Sequence, residues 1–278
     1  MRYFWTVALI VLVVAGVAAL HLTTTTSEYS RYNIQWNGTS AFFSTLEEKN
    51  AIEIRDLTSL KEYRNSVLLL IAPDRNFQKA DIENYREYLR NNNTLILADD
   101  FGTGNQLLSG LGSGISIWQQ RVSAVGGGYE DPSILKGVPC KDHSEVLFNR
   151  PAALRGGIPI IESPALSWLD ANDDGHIDRT EETGCFTLSA TEPLEGGEVI
   201  VIADPGIFIN CMENEHFIEE ILSTAPILLV DQTNTATASG DGMITLIQGI
   251  RENSIIKGML ALVTVLCVAY AFRRYHDN

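Results

Sequence analysis

The sequence predicts an α/β domain with a parallel β-sheet, flanked by two transmembrane helices. Residues 67–72, 94–98 and 198–203 are short apolar or nearly apolar runs, which is typical of strands buried on both faces of a parallel sheet. Segments with helical periodicity alternate with these runs, as βαβ units require. A longer apolar run lies near each end of the chain.

The two terminal runs are predicted to span a membrane. Residues 3–22 carry no charged side chain and are long enough to cross a bilayer as a helix. A cleavable signal peptide is the alternative, because residues 16–18 resemble a small-residue cleavage site. Residues 255–272 precede Arg273 and Arg274, and the alternative for them is a buried core helix. The positive-inside rule places both termini in the cytoplasm.

The elements between the spans are predicted in chain order. We expect helices at residues 40–49, with Thr39 or Ser40 as the cap, and at 79–91, 106–111 and 216–222, and strands at 51–55, 67–72, 94–98, 198–203 and 227–230. The pattern loosens between residues 112 and 194, where we expect loops and extra strands. The predicted organisation is a span or signal anchor at 1–22, a linker at 23–32, the domain at 33–230 with an insert at 170–181, a linker at 231–254, a span at 255–272 and a tail at 273–278.

Charge restricts the partners. The 278-residue chain has 45% hydrophobic residues, enough for a sizeable core, and a formal net charge of −15. Such a chain repels phosphate backbones, so we expect no nucleic-acid partner and favour cations or basic partners. We expect a two-pass protein of the cell membrane with its central domain outside. Asn37 and Asn92 begin N-glycosylation acceptor patterns, which agree with that location.

Three segments together resemble a known family. They are residues 70–74 (LIAPD), 97–105 (LADDFGTGN) and 201–210 (VIADPGIFIN). The chain resembles the uncharacterised family numbered 4350 among the domains of unknown function, whose members are often membrane-anchored archaeal or bacterial proteins. The resemblance implies a fold similar to class I glutamine amidotransferases, a flavodoxin-like doubly wound parallel sheet. It also implies protein partners in a membrane complex, because similar proteins accompany MoxR-type ATPases.

The amidotransferase nucleophile is missing from the sequence. Those enzymes carry a Cys on a tight turn from strand to helix, with a His and an acidic partner, whereas residues 99–102 read DDFG. Cys140, Cys185 and Cys211 lie in no such turn, and His143, His176 and His216 show no catalytic spacing. The three cysteines allow at most one disulfide, whose pairing the spacing leaves open. We therefore expect a domain without amidase activity.

Acidic residues follow three predicted strands. Ligands of open α/β sheets bind at the carboxyl ends of strands, so we predict a ligand-binding cleft from backbone N–H groups and carboxylates. Its candidate residues are Asp74, Asp99, Asp100, Gly102, Thr103, Gly104, Asn105 and Asp204. The alternative is that these acids cap helices and stabilise turns.

Residues 170–181 match a calcium-binding loop at every required position. Oxygen ligands come from positions one, three, five, seven and twelve, and the glycine at position six makes the sharp turn. The predicted Ca²⁺ ligands are Asp170, Asn172, Asp174, the carbonyl of His176, Glu181 and, through water, Asp178. We expect Ile177, at position eight, to face the core. The alternative is an acidic surface loop without an ion.

These observations favour a binding or scaffolding protein in the membrane, with a structural calcium site and no catalytic activity. A subunit of a membrane complex, in which the spans matter as much as the domain, is a related hypothesis. A hydrolase that uses the adjacent carboxylates Asp99 and Asp100 is the alternative of a different class.

Overall fold

The structure, a computed structural model, describes residues 24–125, 131–140, 144–223 and 226–238. The described strands are β1 (Ile52–Ile54), β2 (Ser66–Ile71), β3 (Thr94–Ala98), β4 (Ser116–Ala124), β5 (Ile134–Pro139), β6 (Val146–Asn149), β7 (Ala152–Arg155), β8 (Ile158–Glu162), β9 (Ser167–Asp170), β10 (Thr183–Gly184), β11 (Thr187–Leu194), β12 (Gly197–Ile202) and β13 (Ile227–Asp231). The described α-helices are α1 (Ser40–Glu48), α2 (Lys79–Arg90), α3 (Gly104–Leu111) and α4 (Glu215–Leu222). Three 3-10 helices cover Leu57–Glu62, Pro205–Phe208 and Ala236–Ala238.

Five parallel strands form one half of the sheet, in the order β1, β13, β2, β3, β12. Successive side chains on a strand point to opposite faces. Leu69 of β2 therefore packs in one apolar cluster with α1 and α4, whereas Leu68 packs in a second cluster with α2 and α3. Helices thus cover both faces of the parallel half, which explains why its central strands β2 and β3 are almost entirely apolar.

The second half of the sheet is antiparallel. Strand order continues from β12 through β11, β7, β4 and β9 to β10, and β8 joins β11 to the β5–β6 hairpin. The sheet is therefore mixed and strand-rich. The predicted flavodoxin-like, amidotransferase-like doubly wound parallel sheet is wrong.

The physical reason lies in how the antiparallel strands are encoded. β4 reads SIWQQRVSA, and its pairing with β7 is interrupted by a register shift between Trp118 and Arg121. A bulge of this kind breaks the period-two alternation that identifies a half-buried strand. The sequence consequently indicated only loops and unspecified extra strands in this region.

The predicted membrane helices, residues 3–22 and 255–272, lie outside the described residues and have no support from the structure. Within the described ranges, no helix is both long enough and apolar enough to cross a bilayer.

Helix α1 begins at Ser40, close to its predicted start, but its cap differs from the prediction. The Thr39 hydroxyl donates to the carbonyl of Tyr29 (2.7 Å) and does not cap the helix. Instead, Asn210 Oδ1 accepts from the backbone N–H of Ala41 (2.9 Å). Asn210 is 169 residues away along the chain, so no local pattern could reveal it.

Candidate functional site

Parallel pairing brings two of the predicted acids to one edge of the sheet. Ala98 is in register with Ile71 on one side and with Ile202 on the other. Asp99 and Asp204 both follow this row, and the N–H of Asp99 donates to the carbonyl of Ile202 (3.0 Å). Asp74 lies three residues beyond β2 and is exposed.

Asp99 is a buried acceptor of backbone hydrogen bonds. Its side chain is 2% exposed, Oδ1 accepts from the N–H of Gly102 (3.1 Å), and Oδ2 accepts from the N–H of Gly104 (2.6 Å). Burial raises the pKa of this carboxyl to about 7, although its backbone hydrogen bonds favour the ionised form. Asp99 therefore caps the start of α3 from five residues upstream.

The two glycines of the motif are required by the carboxylate that they surround. A Cβ on Gly104 would lie 2.5 Å from Asp99 Oδ2, and a Cβ on Gly102 would lie 2.4 Å from Oδ1 and 2.6 Å from the carbonyl oxygen of Pro73. No larger residue fits without displacing backbone or a buried carboxylate. The glycines thus allow the backbone to approach Asp99 closely.

Thr103 and Asn105 join the same loop to its neighbours. The Thr103 hydroxyl donates to the carbonyls of Pro73 (3.2 Å) and Arg75 (3.0 Å), and its N–H donates to Pro73 (3.2 Å). Asn105 exchanges two hydrogen bonds with the backbone of Ile117 (2.7 and 2.8 Å). The N–H groups of Gly102, Thr103 and Gly104, predicted as donors to a ligand, are thus occupied within the protein.

Asp204 has the same role on the neighbouring strand. It is fully buried and accepts from the N–H groups of Gly206 (2.5 Å) and Asn149 (2.6 Å). Burial raises its pKa well above the ordinary range of a carboxyl. Asp204 therefore caps the 3-10 helix Pro205–Phe208 and ties it to the end of β6.

Asp100 is half-buried and belongs to a charged group that the sequence did not reveal. Burial raises its pKa, Glu28 adds to the rise, and the charge of Arg121 opposes it. The pKa of Tyr29 is raised by burial and then by Asp100, Asp204 and other acids. Tyr29 comes from the predicted linker and Arg121 from β4, so tertiary folding alone brings them together.

In residues 170–181, side-chain oxygens accept hydrogen bonds from the backbone that follows them. Asp170 is 4% exposed and accepts from the N–H groups of Asp174 (3.1 Å) and Gly175 (2.8 Å). Asn172 Oδ1 accepts from Asp174 (3.2 Å), and Asp174 Oδ1 accepts from His176 (2.8 Å). Gly175 has a φ of +73°, the left-handed conformation that glycine tolerates best.

The last acid of the loop folds back on its first residues. Glu181 accepts from the N–H of Ala171 (2.9 Å) and from that of Asp178 (2.9 Å). The Asn172 amide donates to Asp174 (3.0 Å) and Asp178 (3.1 Å). Among the described residues, no group of three or more His, Cys, Asp or Glu side chains is arranged to hold a metal ion. A cation would therefore have to replace some of these internal hydrogen bonds.

Ile177 does not face the core, contrary to the prediction. Its side chain is 54% exposed, whereas Trp168 and Leu169, just before the loop, are each 2% exposed. Asp170 is the last residue of β9, so the sheet buries the entry to the loop and leaves position eight in solvent.

The described cysteines and histidines lie at the surface. Cys140, Cys185 and Cys211 are exposed and form no disulfide. His176 and His216 are exposed, and His143 lies outside the described residues.

Comparisons with known proteins identify the family and the fold. No curated protein sequence matches the chain. A solved structure titled "mmIFT52 N-terminal domain" is similar over 71% of this chain and 88% of that chain, at 15% sequence identity and a TM-score of 0.50. This identity is too low to carry more than the fold. A family model described as "Domain of unknown function (DUF4350)" matches residues 31–222. The chain therefore belongs to the DUF4350 family.

Proposed function

We propose that the protein is a binding or scaffolding domain without catalytic activity, stabilised by one Ca²⁺ bound to residues 170–181. The supporting observation is the orientation of the oxygens of Asp170, Asn172 and Asp174. Each is held by hydrogen bonds from the backbone that follows it. A carboxylate or amide oxygen has two lone pairs, so it can accept an N–H and still bind a cation.

Calcium would be held by oxygen atoms alone, as a hard cation prefers. The proposed ligands are Asp170, Asn172, Asp174, the carbonyl of His176 and Glu181, with Asp178 acting through water. Glu181 would exchange its N–H partners at Ala171 and Asp178 for the ion. Its position as the twelfth residue suits bidentate binding.

The absence of catalysis is proposed from the burial and the hydrogen bonds of the strand-end acids. Asp99 and Asp204 are both buried and both engaged by two backbone N–H groups. One observation favours the alternative hydrolase: the pKa of Asp99 is raised to about 7, near the value that suits a general acid or base. Against it, a 2% exposed carboxyl cannot reach a substrate without opening the loop.

The chemistry of the partner and the location are proposed from the sequence, and the contact surface is proposed from the exposure of two residues. A net charge of −15 favours a basic surface on a partner protein, and the apolar terminal runs favour a location at the cell membrane with the acidic domain outside. Half-buried Asp100 and 42% exposed Phe101 offer a surface at the strand ends. Affinity capture with wild type and with Phe101→Ala would test that surface, and equal capture of the same partner would argue against it.

Calorimetry with the full chain tests the calcium site directly. We expect wild type to bind one Ca²⁺ with a Kd of roughly 10⁻⁴ to 10⁻³ M, the range of extracellular modules. Glu181→Gln should abolish the binding heat. Glu182→Gln is the matched control, because Glu182 is exposed and outside the ligand set. At 1 mM Ca²⁺ such a site stabilises the fold by roughly 0.4 to 1.4 kcal/mol. No binding heat and an unchanged melting temperature in wild type would contradict the proposal.

A further inference from the structure

The fourth residue of the loop, Asp173, is a point of contact with the rest of the domain. It is not one of the proposed calcium ligands. Its carboxylate forms an ion pair with Arg121 and accepts from Arg150 Nη2 with both oxygens (3.2 and 3.1 Å). Its backbone is left-handed, with a φ of +60°. Two arginines from separate parts of the chain thus hold this one exposed side chain.

Arg121 connects the loop to the strand ends. Its backbone is paired with Asp170, the first residue of the loop, across β4 and β9. Its guanidinium lies over the Phe101 ring, 5.8 Å from the ring centroid. Phe101 belongs to residues 99–105, which we name the strand-end loop. Arg121 is 16% exposed, and its Nε has no hydrogen-bond partner within the described part of the chain. The charges of Asp170, Asp100 and Asp131 also act on the guanidinium.

Arg150 provides a second connection. It follows Asn149, whose N–H donates to Asp204 (2.6 Å) at the same edge of the sheet. The neighbouring segment also contacts the loop, because a Cβ on Gly175 would lie 3.2 Å from Pro132 Cγ. A shift of Asp173 consequently acts through Arg150 on the end of β6, which also binds Asp204.

We propose that residues 170–181 control the order of the strand-end loop through Asp173 and Arg121. Asp170 lies three residues before Asp173 and Asp174 lies one residue after it. A divalent cation that fixes Asp170 and Asp174 therefore also fixes Asp173 between them. Because Asp173 pairs with Arg121, a fixed Asp173 also fixes the position of the Arg121 guanidinium against the Phe101 ring. By thermodynamic linkage, a partner that binds at Phe101 would raise the cation affinity of the loop by the same factor. The effect of the cation rests on the proposed function, whereas the coupling through Asp173 and Arg121 does not.

Hydrogen exchange of the full chain, read by mass spectrometry without calcium, tests the coupling itself. Asp173→Asn and Arg121→Gln should each speed exchange in residues 99–105 by about 2- to 30-fold, the range of measured coupling. The double variant should exchange no faster than the faster single variant, because both changes break one path. Arg179→Gln, which alters an exposed charge of the same loop, is the control and should leave residues 99–105 unchanged.

Unchanged exchange of residues 99–105 in both single variants would overturn the proposal. If Arg121→Gln does not fold, Asp173→Asn carries the test, because the Asp173 side chain is 52% exposed.

Adding 1 mM CaCl₂ separates the proposed calcium site from the proposed coupling. Slower exchange in residues 170–181 supports the calcium site, and its absence overturns that site alone. Slower exchange in residues 99–105 in wild type, lost in Asp173→Asn, supports the coupling. Protection confined to residues 170–181 overturns it.

Discussion

Two loops of this domain have similar compositions and different physical roles. The strand-end loop and residues 170–181 are both rich in Asp, Gly and Asn, and in both the carboxylates accept backbone N–H groups. In the strand-end loop the acceptor, Asp99, is buried, and the loop is bonded to distant segments such as Pro73 and Ile117. In residues 170–181 the acids mainly bond their own loop and most are exposed. Similar acidic motifs thus differ in burial and in whether their hydrogen bonds join distant segments or stay within the loop.

The largest effect should follow removal of the buried acceptor. Asp99→Ala leaves the N–H groups of Gly102 and Gly104 without a partner, and each such group costs about 1–3 kcal/mol. We expect the free energy of unfolding in urea to fall by roughly 2–6 kcal/mol. Asp74→Ala, on an exposed side chain, should change it by less than about 0.5 kcal/mol. Equal effects of the two variants would contradict the capping role of Asp99.

The lack of space at Gly104 provides a second test of how tightly the strand-end loop surrounds Asp99. In an open helix, alanine is more stable than glycine by roughly 0.5–1 kcal/mol. Here Gly104→Ala places a Cβ 2.5 Å from Asp99 Oδ2, so we expect a loss of about 1–3 kcal/mol, as overpacking costs. Ser109→Ala, at an exposed position of α3, is the control. A stabilised Gly104→Ala would show that the loop accommodates a side chain.

The pH dependence of stability should report Asp99. Its pKa is raised by burial from 3.8 to about 7, so the unfolded chain loses the proton first. Its contribution to stability is complete below about pH 4 and is lost as pH rises to about 7, by at most about 1.4 kcal/mol per pH unit. Asp99→Asn should flatten this slope in urea unfolding between pH 5 and 7, whereas Asp74→Asn should retain it. If Asp99→Asn has the same slope as wild type, the pH dependence of stability comes from other acids.

The smallest effect should come from the exposed side of residues 170–181. Because Ile177 is 54% exposed, Ile177→Ser should change the free energy of unfolding by less than about 0.5 kcal/mol. Leu169→Ala, at a 2% exposed residue just before the loop, should cost about 2–5 kcal/mol. A loss at Ile177 comparable with that at Leu169 would show that position eight is packed after all.

The sequence by itself determined the parallel half of the sheet. β2 and β3 are apolar after their first residues because both faces are covered, and such runs are visible without a structure. Every predicted helix and strand of this half is present, with boundaries within two residues of the prediction. Local spacing also drew attention to the residues around Asp99 and to residues 170–181, whose ligand-binding roles stay predictions.

Only the tertiary structure decided the antiparallel half and the contacts of the acids. Pairing of β4 with β7 and β9 depends on partners tens of residues away, and a bulge hides its alternation. Three other contacts are likewise long-range. Asn210 caps α1, Tyr29 lies beside the strand-end acids, and Arg121 lies between two loops. Burial, which distinguishes Asp99 from the exposed acids Asp174 and Asp178, is a property of the folded chain. Local sequence specifies hydrogen-bonding capacity, and the tertiary fold specifies which partner uses it.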